Sequence, residues 1–401
     1  MDLPEAGAGV QMDLAADVLA DILMRLPPNT RRLLRLVCRH WRDVVGARTA
    51  TNLRSRAKTL VATTTGSAYI VDDLSLAPDP ETRHRELRTF NAKSMVGTCN
   101  GLICLCDHGG AITVANPVTH RQLRIPRLPP PCSTDRGKCY NWSRHEAYGF
   151  TYLPITGLYK VVHVPCHVNR SSYDRVHVIT LGDTSWRDVP AGPDAKCELS
   201  YGVVSVDGAT YWAAPEGTEK IMVFDLQDER VTSVTSLPSV LSNSKNDGRW
   251  HLAEVQGRLG IVFSRVSSTM DKTEVWVMEG ATGGRQHVRW SCWYMVQVST
   301  PTQSPSTRIR RLTWPLFVHG EHVLTWEWSM DERGCVLYRH TPINNTGEAK
   351  CGVVEITETN RGTRVTNIDI AGYNDDRRTF GYVETKEPLS IYKPRTTQVV
   401  R

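Results

Sequence analysis

Histidine and cysteine side chains are the residues in this sequence that could bind a metal ion. The candidate ligands are His163, Cys166 and His167, the upstream Cys132 and Cys139, and the pair His319 and His322. None of these groups has the spacing of a zinc framework, and an H-x-x-H pair on a strand or turn does not place both rings on one helical face. We therefore interpret them as ordinary strand and loop residues, and we expect no metal ion and no cofactor.

Motifs for covalent or acid–base catalysis are also missing from the sequence. It contains no G-x-S-x-G, H-E-x-x-H, G-x-x-x-x-G-K-S/T or G-x-G-x-x-G pattern. The adjacent acids Asp72–Asp73 and Asp375–Asp376 alternate faces on a strand or lie in turns, so we interpret them as solvated charges. Four tryptophans lie within apolar strand patterns and are expected in the core rather than in a ligand cage: Trp186, Trp212, Trp276 and Trp293. The sequence therefore predicts a non-catalytic protein.

Composition and cysteine usage indicate an intracellular chain. The 401 residues are 40% hydrophobic and 22% charged, which is ordinary for a soluble protein. The stretch MDLPEAGAGVQMDL is acidic and has no Lys or Arg, unlike a signal or transit peptide. No run reaches the roughly 18 apolar residues that span a membrane, and the eleven cysteines include no C-x-x-C pair. We expect free thiols, no membrane partner and residence in the nucleus and/or cytoplasm.

The net charge of +6 is unevenly distributed along the chain. The segment Arg25–Lys58 alone carries +9, which leaves −3 for the rest. A helix-turn-helix that binds nucleic acid is one interpretation of this basic segment. Its second helix offers Leu and Arg, however, rather than the Asn, Gln or Ser side chains that read bases. We favour a solvated or partner-facing helical surface and expect no nucleic-acid partner.

The segment Leu14–Val45 has the apolar periodicity of short amphipathic helices. Pro27 and Pro28 end the first helix because neither supplies a backbone N–H. The second helical pattern begins near Thr30 and is expected to break near Leu36–Val37. The apolar positions are Leu14, Val18, Leu19, Ile22, Leu23 and Leu26, followed by Leu33, Leu34, Val37, Trp41, Val44 and Val45. Two or three helices of this size bury too little surface to be stable alone, so we expect a protein partner.

These residues resemble the F-box family. The family pattern joins an L-P-x-D/E-x-L-x-x-I-L-x-R-L-P block to Ser/Thr, a Leu/Arg-rich turn and V-C-K/R-x-W. Ala15 replaces the usual proline, and Arg31 and Leu33 are exchanged relative to the usual leucine and arginine. The matching residues are Leu14, Asp17, Leu19, Ile22, Leu23, Arg25, Leu26, Pro27, Thr30, Arg35, Val37, Cys38, Arg39, Trp41 and Arg42.

The F-box resemblance implies a partner and a docking surface. Family members dock on a Skp-type adaptor and, through it, on a cullin-based ubiquitin ligase. The adaptor would complete the apolar face of the helices. The residues expected to bind it are Leu14, Val18, Leu19, Ile22, Leu23, Leu26, Pro27, Leu36, Val37, Cys38, Trp41 and Arg42.

From about Leu60 the sequence has the alternation and turn signals of an all-β fold. Gly208, Gly257 and Gly320 each occupy a predicted hairpin turn between apolar strands, where a positive φ favours glycine. Their separations of 49 and 63 residues approach the roughly 50-residue period of kelch blades. The sequence predicts an irregular propeller of six to eight blades, with a series of stacked β-sandwiches as the alternative.

The order of landmarks in this region resembles the plant F-box-associated domain, a propeller-like substrate module. The landmarks are Val96–Leu102, Asn116–Thr119, Tyr148–Phe150, Tyr159–Val162, Leu181–Arg187, Gly208–Trp212, Phe224–Leu226, Gly257–Leu259 and Val275–Met278. They span most of the chain, and their order is more specific than any single landmark. The implied class is α+β and multidomain, a small helical F-box followed by an all-β propeller.

The expected organisation has four parts: a disordered stretch 1–12, an F-box 13–50, a linker 51–59 and an F-box-associated propeller 60–395. Two late strand-like segments, TFGYV near Thr379 and SIYKP near Ser390, could close the ring. We expect one of them to pair with the early strand near Thr59–Val61, which would leave the ring without an open junction.

A proline-rich and aromatic loop, Arg127–His145, is the candidate surface for a target protein. Tyr, Trp and Arg are the usual anchors of protein interfaces, and the candidate contacts are Arg127, Tyr140, Trp142 and Arg144. A plain insertion between blades is the alternative. The sequence as a whole predicts a substrate receptor whose target it does not identify. The alternatives are an adaptor-independent interaction scaffold and a propeller enzyme.

Overall fold

The computed structural model describes residues 15–47, 57–63, 67–71, 84–87, 93–107, 109–128, 146–166, 174–215, 220–242, 248–265, 270–279, 288–299, 318–319, 322–329, 334–344, 351–357, 360, 362–368 and 377–393. Three helices precede a series of β-sheets. None of the helices described is long and apolar enough to cross a membrane.

The helices are α1 Ala16–Met24, α2 Pro28–Leu34 and α3 Arg39–Ala47. Pro27 is the last residue of the short connection between α1 and α2. Pro28 occupies the first position of α2, where its missing N–H costs no helical hydrogen bond. The predicted break near Leu36–Val37 is confirmed, because these residues lie between α2 and α3. Leu19 and Leu23 of α1 pack on Val44 and Val45 of α3 in a small core.

Six blades, each a β-sheet of four or six strands, follow the helices. Blade 1 contains β1 Lys58–Thr63, β2 Ala68–Val71, β3 His84–Glu86 and the late strand β26 Arg377–Tyr382. Blade 2 contains β4 Ser94–Cys99, β5 Leu102–Cys106, β6 Ile112–Asn116 and β7 Arg121–Arg124. Blade 3 contains β8 Tyr148–Leu153, β9 Leu158–His163, β10 Arg175–Thr180 and β11 Arg187–Pro190.

Some strands of the remaining three blades are longer than those of the first three. Blade 4 contains β12 Val203–Val206, β13 Ala209–Ala213, β14 Ile221–Asp225 and β15 Arg230–Val234, and a short helix, α4 Ser239–Ser242, follows it. Blade 5 contains β16 Gly248–Val255, β17 Arg258–Arg265, β18 Met270–Glu279, β19 Arg289–Ser299, β23 Ile343–Asn344 and β24 Gly352–Ile356. Blade 6 contains β20 Val318–His319, β21 His322–Ser329, β22 Gly334–His340 and β25 Thr363–Ile368.

The blades form a ring that the carboxyl-terminal strand closes. β26 pairs antiparallel with β1, with Thr379 opposite Val61 and Phe380 opposite Leu60. β4 contacts both β26 and β8, and β12 contacts both β8 and β16, so these strands adjoin from blade to blade. The fold is therefore a six-bladed β-propeller rather than a series of stacked sandwiches. The prediction that one of two late segments pairs with the early strand is confirmed: TFGYV forms the closing strand, whereas Ser390–Tyr392 of the SIYKP segment lie in a 3₁₀ turn.

Hairpin glycines mark equivalent positions in three of the blades. Gly101, Gly208 and Gly257 follow the first strands of blades 2, 4 and 5, and all three have positive φ. The residue before each of them also has positive φ, the geometry of a two-residue turn that matches strand twist. The hairpins predicted at Gly208 and Gly257 are confirmed, whereas Gly320 lies outside the described residues.

Blade 5 has an extra pair of strands that sequence periodicity did not indicate. The chain leaves blade 6 after β22, adds β23 and β24 to blade 5, and returns to blade 6 as β25. β24 pairs parallel with β19, Tyr294 being opposite Gly352.

Candidate functional site

The three helices expose an unusual share of apolar surface. Of the ten large exposed hydrophobic residues among those described, five belong to the helical segment, so the surface is concentrated there. We call these five residues the helical apolar surface. They are Val18, Ile22, Leu33, Leu36 and Val37, exposed by 50%, 44%, 58%, 76% and 61%. An apolar surface of this kind on so small a unit indicates a protein-binding site.

Two of the predicted adaptor contacts lie beneath this surface rather than in it. Leu19 and Leu23 are both 0% exposed, because the faces of α1 and α3 close over them. In this structure they therefore support the helices, and Val18 and Ile22, one position earlier in each case, carry the exposed side of α1. The apolar periodicity of α1 could not separate the buried side from the partner-facing side.

The other predicted contacts are distributed between the edge and the surface of the helices. Leu26 and Trp41 are half-buried against the helical core. Pro27 is half-buried, and Cys38 and Arg42 are exposed. Leu14 lies outside the described residues. The accessible members of the predicted set therefore lie on α1, in the α2–α3 connection and on α3.

The helices lie at one end of the propeller. Gly157, in the turn between β8 and β9, approaches Arg32 of α2 so closely that an added Cβ would overlap the arginine side chain. Asn116 at the end of β6 donates from Nδ2 to the carbonyl oxygen of Glu387, 2.9 Å away, and the Glu387 carboxylate accepts from the Asn29 backbone N–H of α2. The β6 and β8 ends thus face the helices.

Strand direction places Arg127, the first residue of the predicted recognition loop, at the end of blade 2 opposite the helices. β7 is antiparallel to β6, so it runs away from the helices. Arg127 follows β7 and is exposed. Tyr140, Trp142 and Arg144 lie outside the described residues, so their predicted contribution to target binding stays a prediction.

The described histidines and cysteines that were considered as metal ligands lie in different elements. His163 ends β9 and is buried against the Tyr148 ring, with centroids 4.7 Å apart. Cys166 is buried in a bridge to Cys197. Among the described residues there is no group of three or more His, Cys, Asp or Glu that could hold a metal ion. The other candidates are His322, whose Nδ1 lies 3.3 Å from the Thr341 hydroxyl, His319 opposite it in a hairpin, and Cys132, Cys139 and His167 outside the described residues.

Buried histidines make the stability of the propeller dependent on pH. Burial lowers the pKa of both His163 and His251 from 6.5 to about 3. The unfolded chain therefore binds protons between these values that the folded chain does not, so stability is present above pH 6.5 and is lost as pH falls towards 3. Between pH 7 and pH 5 each group should cost about 2 kcal/mol.

Thermal unfolding followed by circular dichroism at pH 7 and pH 5 tests this prediction. The midpoint should fall on acidification, and His251→Gln, which cannot gain a proton, should lose about 2 kcal/mol less than the parent over the same interval. If the variant and the parent show the same pH dependence, His251 does not carry the predicted cost.

The tryptophans predicted in the core all pack in or against the hydrophobic clusters of the blades. Trp212 is fully buried, and its Nε1 donates to the Ala195 carbonyl oxygen at 2.7 Å. The other three are half-buried at the edges of blade clusters, namely Trp186, Trp276 and Trp293. The acidic pairs Asp72–Asp73 and Asp375–Asp376 lie outside the described residues.

Two protein-family models match consecutive parts of the chain. The F-box domain matches residues 12–48, and the F-box associated beta propeller domain matches residues 74–371. The first match contains the helical apolar surface, and the second covers most of the blades.

Individual proteins show similarity over much of the chain. A putative F-box protein of Arabidopsis thaliana is 25% identical over 315 residues, covering 75% of each chain. A second F-box protein of the same organism is 25% identical over 316 residues, covering 69% of this chain and 72% of its own. Among solved structures, the Myceliophteria thermophila Cps50 (Swd1) beta-propeller domain has a TM-score of 0.38 and 10% identity, over 82% of this chain and 95% of that one.

Proposed function

Since this chain belongs to the F-box associated beta propeller family and carries an F-box before its propeller, we propose that it is the substrate-recognition subunit of an SCF-type ubiquitin ligase. The F-box helices dock on a Skp-type adaptor, which links the chain to a cullin. The propeller holds a target protein. The observation that carries this proposal is the helical apolar surface, which an unaccompanied folded domain would leave in water.

Adaptor docking in this proposal uses accessible residues of α1 and of the α2–α3 connection. Val18 and Ile22 lie one turn apart on α1, so they share one side of that helix. Leu36 and Val37 lie in the connection to α3, beside the exposed Cys38. These four apolar side chains are 44–76% exposed, so burying the remainder in a complex would be favourable by roughly 1–2 kcal/mol each. Leu19 and Leu23 contribute from below by holding α1 against α3.

Target binding in this proposal takes place at the end of the propeller opposite the helices. The loop that begins at Arg127 leaves blade 2 on that side. Arg127, together with Tyr140, Trp142 and Arg144, offers a charged and aromatic contact set. An adaptor at one end and a target at the other would leave both surfaces accessible at the same time.

The chain contributes proximity rather than chemistry in this proposal. A target held on the propeller presents its lysines to the conjugating enzyme at high effective concentration, because both are tethered in one assembly. No side chain of the receptor then acts as an acid, a base or a nucleophile. We propose that the protein acts in the nucleus and/or cytoplasm.

Co-purification with a Skp-type adaptor and a cullin tests the proposed function. The full chain should elute with both proteins from a size-exclusion column, and captured target proteins should acquire ubiquitin when the remaining ligase components are added. An adaptor-independent scaffold would elute alone. A propeller enzyme would instead show a bound metal or cofactor by elemental analysis or absorbance.

A further inference from the structure

The segment that follows the ring-closing strand connects the propeller to the F-box. We call residues 383–393 the C-terminal strap. Asn116 is fully buried at the end of β6, and its amide donates to the carbonyl oxygens of Thr385 and Glu387, at 3.2 and 2.9 Å. The strap ends in a 3₁₀ turn, Leu389–Tyr392, whose Leu389 packs in the core shared by blades 2 and 3. The strap is thus fixed to the face of the propeller that meets the helices.

Glu387 joins the strap to α2 of the F-box. Its carboxylate is fully buried; Oε2 accepts from the Asn29 backbone N–H at 3.1 Å, and Oε1 accepts from the Tyr392 hydroxyl at 2.5 Å. The first turn of a helix leaves its N–H groups without partners in the helix, and Pro27 supplies no side-chain cap. A residue 358 positions away in the sequence therefore performs the capping that is normally local.

A buried arginine from the same helix lies near this carboxylate. Arg31 of α2 is 5% exposed, and its charge interacts favourably with that of Glu387. Burial lowers the pKa of Arg31 and raises the pKa of Glu387, and in each case the opposite charge acts against the shift. Removing either group would leave the other buried without its compensating charge, which is strongly unfavourable.

The turn between β8 and β9 provides a second contact with α2. Gly157 has φ of +69°, and its missing side chain leaves room for the Arg32 stem. Any Cβ at this position would overlap Arg32, so the close approach depends on glycine. Arg31 and Arg32 are therefore both engaged with the propeller from neighbouring positions on one helix.

We propose that Glu387 is a positioning residue that fixes the F-box to the propeller, so that the C-terminal strap sets the direction of the helical apolar surface relative to the target-binding end. We call the contacts of α2 with Glu387 and with the β8–β9 turn the joint, and these contacts do not depend on the proposed function. Its consequence for ubiquitin transfer rests on the proposed function, because a fixed direction would restrict which target lysines come within reach of the conjugating enzyme.

Hydrogen exchange of the full chain, followed by mass spectrometry, tests the joint without any ligand. Glu387→Ala should speed exchange of the α2 amides at least roughly 10-fold, since the Asn29 N–H loses its acceptor and Arg31 its compensating charge. Blades 4 and 5 should exchange as in the parent. Lys386→Ala is the matched control, because Lys386 is the neighbouring exposed residue of the strap.

The conservative variant separates positioning from general structural support. Glu387→Gln keeps an oxygen that can accept from Asn29 but loses the charge that compensates Arg31, so α2 should exchange at a rate between those of the parent and Glu387→Ala. Unchanged α2 exchange in Glu387→Ala, or the same acceleration in Lys386→Ala, would overturn the proposal. Adaptor binding is measured separately: Glu387→Ala should retain the parent affinity while small-angle scattering of the complex shows a larger radius of gyration. A chain with a firm joint that binds no adaptor would contradict the proposed function alone.

A glycine pair tests the same joint from the propeller side. Gly157→Ala and Gly208→Ala both place a side chain at positive φ in a turn after the first strand of a blade, but a Cβ added at Gly208 would have no atom of a non-adjacent residue within 4 Å. Both variants should strain their own turn, and only Gly157→Ala should accelerate exchange in α2. Equal behaviour of the two variants would mean that the Arg32 contact does not hold the F-box.

Discussion

Val37→Glu is expected to abolish binding of the Skp-type adaptor while the propeller stays folded. Val37 is 61% exposed in the connection between α2 and α3, so a carboxylate there remains hydrated in the free chain. In the complex the same carboxylate would be buried against apolar partner side chains, and an unpaired charge is costly to bury. We expect a loss of affinity of at least roughly 100-fold, which corresponds to about 3 kcal/mol.

The control for this variant is Ile343→Glu. Ile343 is 68% exposed on β23 of blade 5, so it receives the same change of an exposed apolar side chain to a carboxylate outside the F-box. Titration calorimetry should show parent affinity for Ile343→Glu, and both variants should unfold at the parent temperature. Parent affinity in Val37→Glu would show that the helical apolar surface does not include Val37 in its docking contacts.

Removing the ring-closing strand is expected to prevent cooperative folding of the propeller. A chain that ends at residue 376 lacks β26 and leaves the inner edge of β1 unpaired. It also loses Tyr382, which is almost fully buried, and removal of a large core side chain alone costs about 3–5 kcal/mol. Since a whole domain is stable by only about 5–15 kcal/mol, we expect the cooperative transition to disappear from the thermal unfolding curve.

Two further experiments show whether the missing β26 strand is what prevents cooperative unfolding. A chain ending at Glu384 keeps β26 but lacks buried Leu389 and Tyr392 of the C-terminal strap, so its propeller should still unfold cooperatively, at a lower temperature than the parent, while its F-box loses the contact with Glu387. Addition of residues 374–401 as a separate polypeptide should restore the transition to the shorter chain. A shorter chain that unfolds cooperatively at the parent temperature would contradict the closure argument.

Local sequence patterns were sufficient for the elements that depend on near neighbours. The 3.6-residue periodicity predicted the helices and the break near Leu36–Val37, because one face of each helix is apolar. Glycines after first strands predicted the hairpins at Gly208 and Gly257, since the turns need positive φ. The closing strand was also predictable, because the TFGYV segment had β character and a closed ring needs a partner for β1.

Features that depend on distant contacts could not be predicted from local patterns. The parallel pairing of β24 with β19 has no turn signal, because the chain passes through blade 6 in between. Glu387 has no local pattern that links it to Asn29, 358 positions away. Arg31 differed from the F-box pattern in sequence, and the structure gives the physical reason: it is buried near a carboxylate of the propeller strap.

Leu19 and Leu23 show the limit of periodicity at the docking site itself. Apolar residues that pack inside a small domain and those that face a partner follow the same helical spacing. Only the position of α3 shows that Leu19 and Leu23 face inward and that Val18 and Ile22 remain accessible. The sequence therefore predicted the docking segment, but the structure was needed to separate its supporting residues from its contact residues.

Calorimetric titration of the full chain with a Skp-type adaptor, repeated at several temperatures, measures the proposed docking itself. We expect a one-to-one complex with a negative heat-capacity change, because binding removes the apolar side chains of the F-box from water. A chain that is folded, by its cooperative unfolding, and yet gives no binding heat at any temperature and no co-elution with the adaptor would contradict it.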